Sequence, residues 1–180
     1  MDKFRNKYRI PSARAQWWNY KNAAAYFITI NTIHRQHFFG EIMNTQMHLN
    51  EIGTIVEQEW LRSAELRPDM NLTMDEFVVM PDHFHGIVVI GGKDAMHGVF
   101  TGTGTWTGSG TRTGTGVFGP QSKNLASIVR GFKSSVTIRA RKINAAFGWQ
   151  SRFHDRIIRD DAEYERIVQY IMDNPRNWNG

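Results

Sequence analysis

Phe77-Val78-Val79-Met80-Pro81-Asp82-His83-Phe84-His85-Gly86-Ile87-Val88-Val89-Ile90 is the stretch on which the reading of the chain turns. Two apolar, largely β-branched runs flank a Pro-Asp-His-Phe-His core. Neither residues 77–81 nor residues 86–90 contain a charge, as expected of a strand buried in the middle of a sheet. Taken as one central strand, the stretch alternates its side chains, so His83 and His85 share a face about 7 Å apart while Phe84 points the other way. Two imidazoles placed in this way can share a divalent ion. A single His-x-His also fits two ordinary, half-exposed histidines, so the remaining sequence has to decide.

With 180 residues, 41% of them hydrophobic, the chain can bury one good core, and one domain is expected. No apolar run approaches membrane-spanning length and no hydrophobic segment follows the basic N-terminus. Neither a membrane span nor a secretory signal is expected, and a cytoplasmic location follows. The absence of cysteine excludes disulfides, thiolate zinc sites and cysteine nucleophiles. Any metal has to use His, carboxylate or amide ligands.

The net charge is +5 and the pI about 9.7. Cations cluster in the first segment (Lys3, Arg5, Lys7, Arg9, Arg14, Lys21) and again after residue 122, whereas the middle of the chain is acidic. Such segregation suggests a basic face for phosphates, although solvated helix faces would look similar. Residues 1–24 mix these cations with Tyr8, Trp17, Trp18 and Tyr20. That is an arm able either to stack bases or to pack on the domain.

Ala25-Tyr26-Phe27-Ile28-Thr29-Ile30-Asn31-Thr32 predicts a first strand and Phe38-Phe39-Gly40-Glu41-Ile42 a short second one. His34 and His37, between them, read as loop or surface residues. Ile52, Ile55, Val56, Trp60 and Ala64 have helical spacing, in a helix ending before Arg67-Pro68-Asp69. The Thr/Gly-rich run over 99–119 has no hydrophobic period and reads as a flexible insertion. It is not a phosphate loop, because no Gly-Lys-Ser/Thr follows. Leu125, Ile128, Val129, Phe132, Val136, Ala140 and Ile143 predict a strong helix with Arg130, Lys133, Arg139, Arg141 and Lys142 on its other faces. Residues 149–159 read as a last strand or extended segment. Asp160 and Glu163 form a capping box for a final helix whose stripe is Tyr164, Ile167, Val168 and Ile171, and Asn174-Pro175 stops it.

Tyr170 lies roughly 110° from the centre of that stripe, on one flank with Asn174 a turn further on. If this helix packs beside the His-x-His strand, Asn174 could be a third ligand and Tyr170 could reach a phosphate held by the ion. A boundary tyrosine and a helix-ending asparagine is the plainer alternative.

Met80-Pro81-Asp82-His83-Phe84-His85, Ser127-Ile128-Val129-Arg130-Gly131-Phe132-Lys133-Ser134, Trp149-Gln150-Ser151-Arg152-Phe153-His154-Asp155-Arg156-Ile157-Ile158-Arg159 and Tyr170-Ile171-Met172-Asp173-Asn174-Pro175 occur in this order. Together they resemble the HUH single-tyrosine transposases, most closely the REP-associated tyrosine transposases. The resemblance runs from about Tyr26 to Pro175. It implies an α+β fold, a central antiparallel sheet with helices mainly on one face, as in ferredoxin- or RRM-like HUH endonucleases. It also implies that His83, His85 and Asn174 bind Mg²⁺ or Mn²⁺ and that Tyr170 is the nucleophile. The implied activity is cutting and rejoining single-stranded, hairpin-bearing DNA through a 5′-phosphotyrosine. Arg130, Lys133, Arg139, Arg141, Arg152 and Arg156 are the candidate DNA-binding cations. Two departures stand out: Asp82 replaces the usual Asn, and Gly86 a usual aliphatic residue. A non-cleaving hairpin-binding module, a water-using metal phosphodiesterase and a homodimer all stay open. The expected organisation is an arm at 1–24, one domain at 25–175 containing the insertion, and a tail at 176–180.

Overall fold

The computed structural model describes residues 3–4 and 7–8, as backbone, and residues 23–92 and 123–179. In chain order the elements are β1 (Lys3–Phe4), β2 (Lys7–Tyr8), β3 (Ala24–Asn31), β4 (Gly40–Met43), β5 (Gln46–Leu49), α1 (Glu51–Glu65), β6 (Leu72–Met80), β7 (His83–Ile90), α2 (Leu125–Ala140), β8 (His154–Ile158) and α3 (Asp161–Asp173). Most of the arm and the whole Thr/Gly-rich insertion lie outside the described residues.

The stretch expected to be one strand is two. It breaks at Pro81-Asp82, where β6 turns back antiparallel into β7 with Met80 paired to His83. Pro81 has no N–H to give to a ladder, and the turn's carbonyls are claimed from outside the sheet. Thr32 N–H and Oγ1 each donate to Asp82 O at 2.9 Å, and Phe39 N–H donates to Pro81 O at 3.1 Å. The central position itself holds. The main sheet is antiparallel, in the order β6-β7-β3-β8, and every residue of β7 is buried between its neighbours.

Alternation along β3 and β7 divides the molecule into layers. Tyr26, Ile28, Ile30, Phe84, Val88 and Ile90 face α1 and α2, whose buried stripes include Ile52, Val56, Trp60, Ile128, Phe132 and Val136. Ala25, Ile87, Val89 and Ile158 face the other way, against Tyr164, Ile167, Val168 and Ile171 of α3. Two helices therefore cover one face and the third covers the other. Each large apolar side chain sealed in these layers contributes about 1.5–3 kcal/mol relative to exposure.

Gly86 lies on the crowded face. A Cβ there would come within 2.8 Å of the Phe84 ring and 2.9 Å of the Trp60 indole. The aliphatic residue usual in the resembling family has no room here because these rings occupy its place.

Other expectations shift locally. The second strand is β4, displaced to Gly40–Met43, and it pairs with β5, which was not anticipated. Their two-residue loop, Asn44-Thr45, has φ of +51° and +63°, the left-handed pair that matches a hairpin's twist. The helix after the insertion ends at Ala140, so Ile143 is outside it and 44% exposed. The final helix has only the Asp160 half of its capping box: Asp160 accepts from Glu163 N–H at 2.7 Å, but Glu163 accepts from Arg159 N–H, one residue before the cap.

Candidate active site

β7 brings His83 and His85 to the α3 face, their rings 4.6 Å apart, and both residues are 5% exposed. Neighbouring side chains hold each ring. Asp82 Oδ1 accepts from His83 Nδ1–H at 2.6 Å; a carboxylate can only accept, so the proton sits on that nitrogen. The His83 ring also hydrogen-bonds the Asn174 side chain. His85 Nδ1 meets Thr29 Oγ1 at 2.8 Å, from the residue directly across β3. Phe27 stacks on His85 with centroids 5.3 Å apart.

Tyr170 is 51% exposed, and its hydroxyl lies 3.4 Å from His85 Nε2. Its ring also meets Phe27 edge-on at 6.0 Å. Asn174 keeps right-handed helical angles (φ −56°, ψ −45°) despite preceding a proline, against the preference of such positions. It therefore stays one turn beyond Tyr170. A cleft of about 290 Å³ is lined by Thr29, Arg35, His83, His85, Tyr170, Asn174, Asn177 and Trp178. The four residues expected to share chemistry are thus brought together.

Burial is the main force lowering the His83 pKa, opposed by Asp82 and by the Asn174 hydrogen bond, with Arg35 lowering it further. Burial, then His83, then Arg35 push His85 down to about 3, against a raising hydrogen bond from the Ile28 backbone. Both imidazoles are neutral at pH 7, the form that binds metal. Nδ1 of each is held by a neighbour, which leaves Nε2 as the ring nitrogen that could ligate an ion. Among the described residues no three His, Cys, Asp or Glu side chains form a metal-binding group. An ion here would need the Asn174 amide oxygen as its third donor, and two imidazoles with an amide oxygen fit a hard divalent ion completed by water and phosphate.

Tyr164, the other tyrosine of α3, is engaged elsewhere. Its hydroxyl donates to Asp75 Oδ2 at 2.7 Å, and burial followed by Asp75 raises its pKa.

The candidate DNA-binding cations are spread over α2 and the segments that follow it. Arg139 binds buried Glu59 at 2.7 Å and Gln58 at 2.8 Å, and Arg141 Nε donates to Phe147 O at 3.0 Å. Lys133 Nζ donates to Gln150 O at 2.6 Å, and burial lowers its pKa. Lys133 and Arg141 line a groove of about 410 Å³ with Trp149 and Ser151. Arg156 pairs with buried Glu163, while Arg130 and Arg152 are exposed.

Sequence reasoning missed Arg35, Thr29, Asn177 and Trp178, and gave Asp82 no role. A carboxylate next to a ligand histidine is a recognisable ring-orienting signal. Thr29 becomes visible only once the β3–β7 register is known. Trp178 comes from the supposed tail, and its ring lies 5.7 Å from His83 and 5.8 Å from His37.

No family model matches the chain. An uncharacterised protein of Haemophilus influenzae is 37% identical over 172 residues, covering 93% of this chain and 88% of its own. A REP-associated tyrosine transposase, solved bound to a REP hairpin, is similar in fold. Its TM-score is 0.52 at 18% identity, covering 91% of this chain and 73% of that one. The chain belongs to one family with the Haemophilus protein, and its fold is that of the HUH single-tyrosine transposases. No helix among the described residues is long and apolar enough to cross a membrane.

Proposed function

We propose that this protein cuts and rejoins single-stranded, hairpin-bearing DNA, with Tyr170 as nucleophile and Mg²⁺ or Mn²⁺ held by His83, His85 and Asn174. One observation carries the proposal: the half-exposed Tyr170 hydroxyl lies 3.4 Å from His85 Nε2, in a cleft that also holds His83 and Asn174. Likeness in fold to a transposase solved with a REP hairpin supports the substrate class.

In this mechanism Tyr170 Oη attacks a phosphodiester in line. The new O–P bond replaces the bond to the 3′-oxygen, which leaves as a hydroxyl carrying the proton given up by the phenol. The 5′-phosphotyrosine conserves the bond energy, so a second 3′-hydroxyl can rejoin the strand without a nucleotide cofactor. The ion, when bound, supplies Lewis-acid neutralisation of the charge that builds on the phosphate. Asp82 and Thr29 keep the two imidazoles from turning, and Phe27 packs against both the His85 and the Tyr170 rings. Arg130 and Arg152 are exposed, and Lys133, its ammonium held by Gln150 O, lines a groove with Arg141, so each could follow a DNA backbone. Arg139, Arg141 and Arg156 would contribute through the share of their charge not spent on protein partners.

The test is a denaturing gel of purified protein with Mn²⁺ and a pool of labelled single-stranded hairpin oligonucleotides. A metal-dependent covalent adduct, absent in Tyr170→Phe and His83→Ala, is expected. Cleavage surviving in Tyr170→Phe would replace the tyrosine mechanism with attack by water. Binding without cleavage or adduct would make the protein a hairpin-binding module.

A further inference from the structure

Across the cleft from Tyr170, the loop between β3 and β4 is fastened to the Pro81-Asp82 turn. Thr32 N–H donates to Asp82 O, its hydroxyl shares one proton between Asp82 O at 2.9 Å and Gln36 O at 2.8 Å, and Phe39 N–H holds Pro81 O. Inside this clamp His34 and Arg35 sit at φ of +52° and +57°, a left-handed conformation that residues with a Cβ rarely adopt. Two successive residues held in this way indicate that the surrounding bonds fix where Arg35 goes. Its side chain, 48% exposed, lines the cleft with Nε 2.6 Å from Asp82 Oδ2 and Nη1 2.8 Å from Asn31 Oδ1. The other described side chains lining the cleft, Thr29, His83, His85, Tyr170, Asn174, Asn177 and Trp178, include no lysine or arginine.

We propose that Arg35 is a substrate-contacting residue, the cation that takes a backbone phosphate of single-stranded DNA within this cleft, and that Asp82 is the positioning residue that aims it. This rests on the function proposed above and deepens it. A half-exposed guanidinium already held by an ion pair to Asp82 and a hydrogen bond to Asn31 is pre-organised, so little conformational freedom is lost when an anion arrives. Asp82 then has two tasks, one oxygen on His83 and the other on Arg35, and so couples the phosphate contact to the orientation of a candidate ligand ring. The competing role for Arg35 is that of a counter-ion to the buried Asp82 carboxylate.

The experiment uses the full chain in EDTA, so that neither metal nor cleavage enters, and measures fluorescence anisotropy with a hairpin oligonucleotide from the pool. One phosphate at a time is replaced by an uncharged methylphosphonate. At the phosphate Arg35 contacts, wild type should lose about tenfold or more in affinity, the scale of a hydrogen bond to a charged partner. Arg35→Gln should bind the unmodified strand more weakly by a similar factor and lose nothing further at that position. Asp82→Asn, which removes the charge Arg35 would neutralise, should retain part of the methylphosphonate effect. If Arg35→Gln does not melt cooperatively, Arg35→Lys takes its place: it keeps the charge, loses the fork, and should show a reduced effect. A methylphosphonate profile unchanged by the Arg35 variants overturns the proposal even if wild type forms the covalent adduct. Failure of wild type to bind any hairpin overturns both this proposal and the function on which it rests.

Discussion

The Tyr164 hydroxyl donates to Asp75 Oδ2 over 2.7 Å, anchoring α3 to β6. Six residues on, Tyr170 is 51% exposed beside His85. The two tyrosines of one helix therefore lie in opposite environments, and their phenylalanine variants should separate an anchoring role from the proposed catalytic one. Tyr164→Phe is expected to cost about 1 kcal/mol in urea denaturation and to leave adduct formation intact. Tyr170→Phe should leave the melting temperature within about 2 °C of wild type and abolish the adduct. The reverse pattern would reassign the nucleophile.

The buried histidines predict an acid-sensitive fold. A base whose folded pKa is depressed binds its proton more readily in the unfolded chain, so its stabilisation is complete above the unfolded value, near pH 6.5, and is lost as the pH falls toward the folded one. For His85 that window runs from pH 6.5 down to about 3, and His83 shifts in the same direction. Urea midpoints in EDTA should fall below pH 6.5, with a slope approaching about 1.4 kcal/mol per pH unit for each such histidine. His85→Asn should flatten the curve; an unchanged slope would refute the assignment.

Gly86→Val drives its new side chain into the Phe84 and Trp60 rings, and about 1–3 kcal/mol of destabilisation is expected. The double variant with Trp60→Leu should be less destabilised than the two single effects sum to, because the second change opens the space the first needs. Strict additivity, read from denaturant midpoints, would show that the rings are not the obstacle.

Arg139 and Arg152 test which cations serve DNA and which serve the fold. Glu59 is 2% exposed and depends on Arg139 at 2.7 Å, with Arg62 further off at 3.8 Å. Arg139→Ala should cost about 1–3 kcal/mol by stranding that carboxylate and change hairpin affinity little. Arg152→Ala should leave stability alone and weaken binding, most visibly at low salt. Equal affinity losses from both would put Arg139 on the DNA as well.

Much of this architecture was legible because burial imposes a period. The stripe of α3 placed Tyr170 and Asn174 on one flank, and the β alternation placed His83 and His85 on one face. Where residues on both sides of a turn are equally apolar, period carries no information, and the Pro81-Asp82 reversal lay between two apolar runs that read together as one strand. Arg35 was hidden for another reason: a left-handed loop puts it in the cleft, and nothing in Ile33-His34-Arg35-Gln36 announces that conformation. The cations of α2 look equivalent in sequence, yet Arg139 is tied to a glutamate 80 residues away. Such pairings exist only in three dimensions.

Tyr170 and His85 lie 85 positions apart along the chain, and the tyrosine is on the last helix among the described residues. A ribosome exposes the histidine hairpin long before it has made the residue that would attack DNA. Every product of termination before α3 lacks Tyr170, so the proposed strand-breaking chemistry becomes available only once that helix has been made.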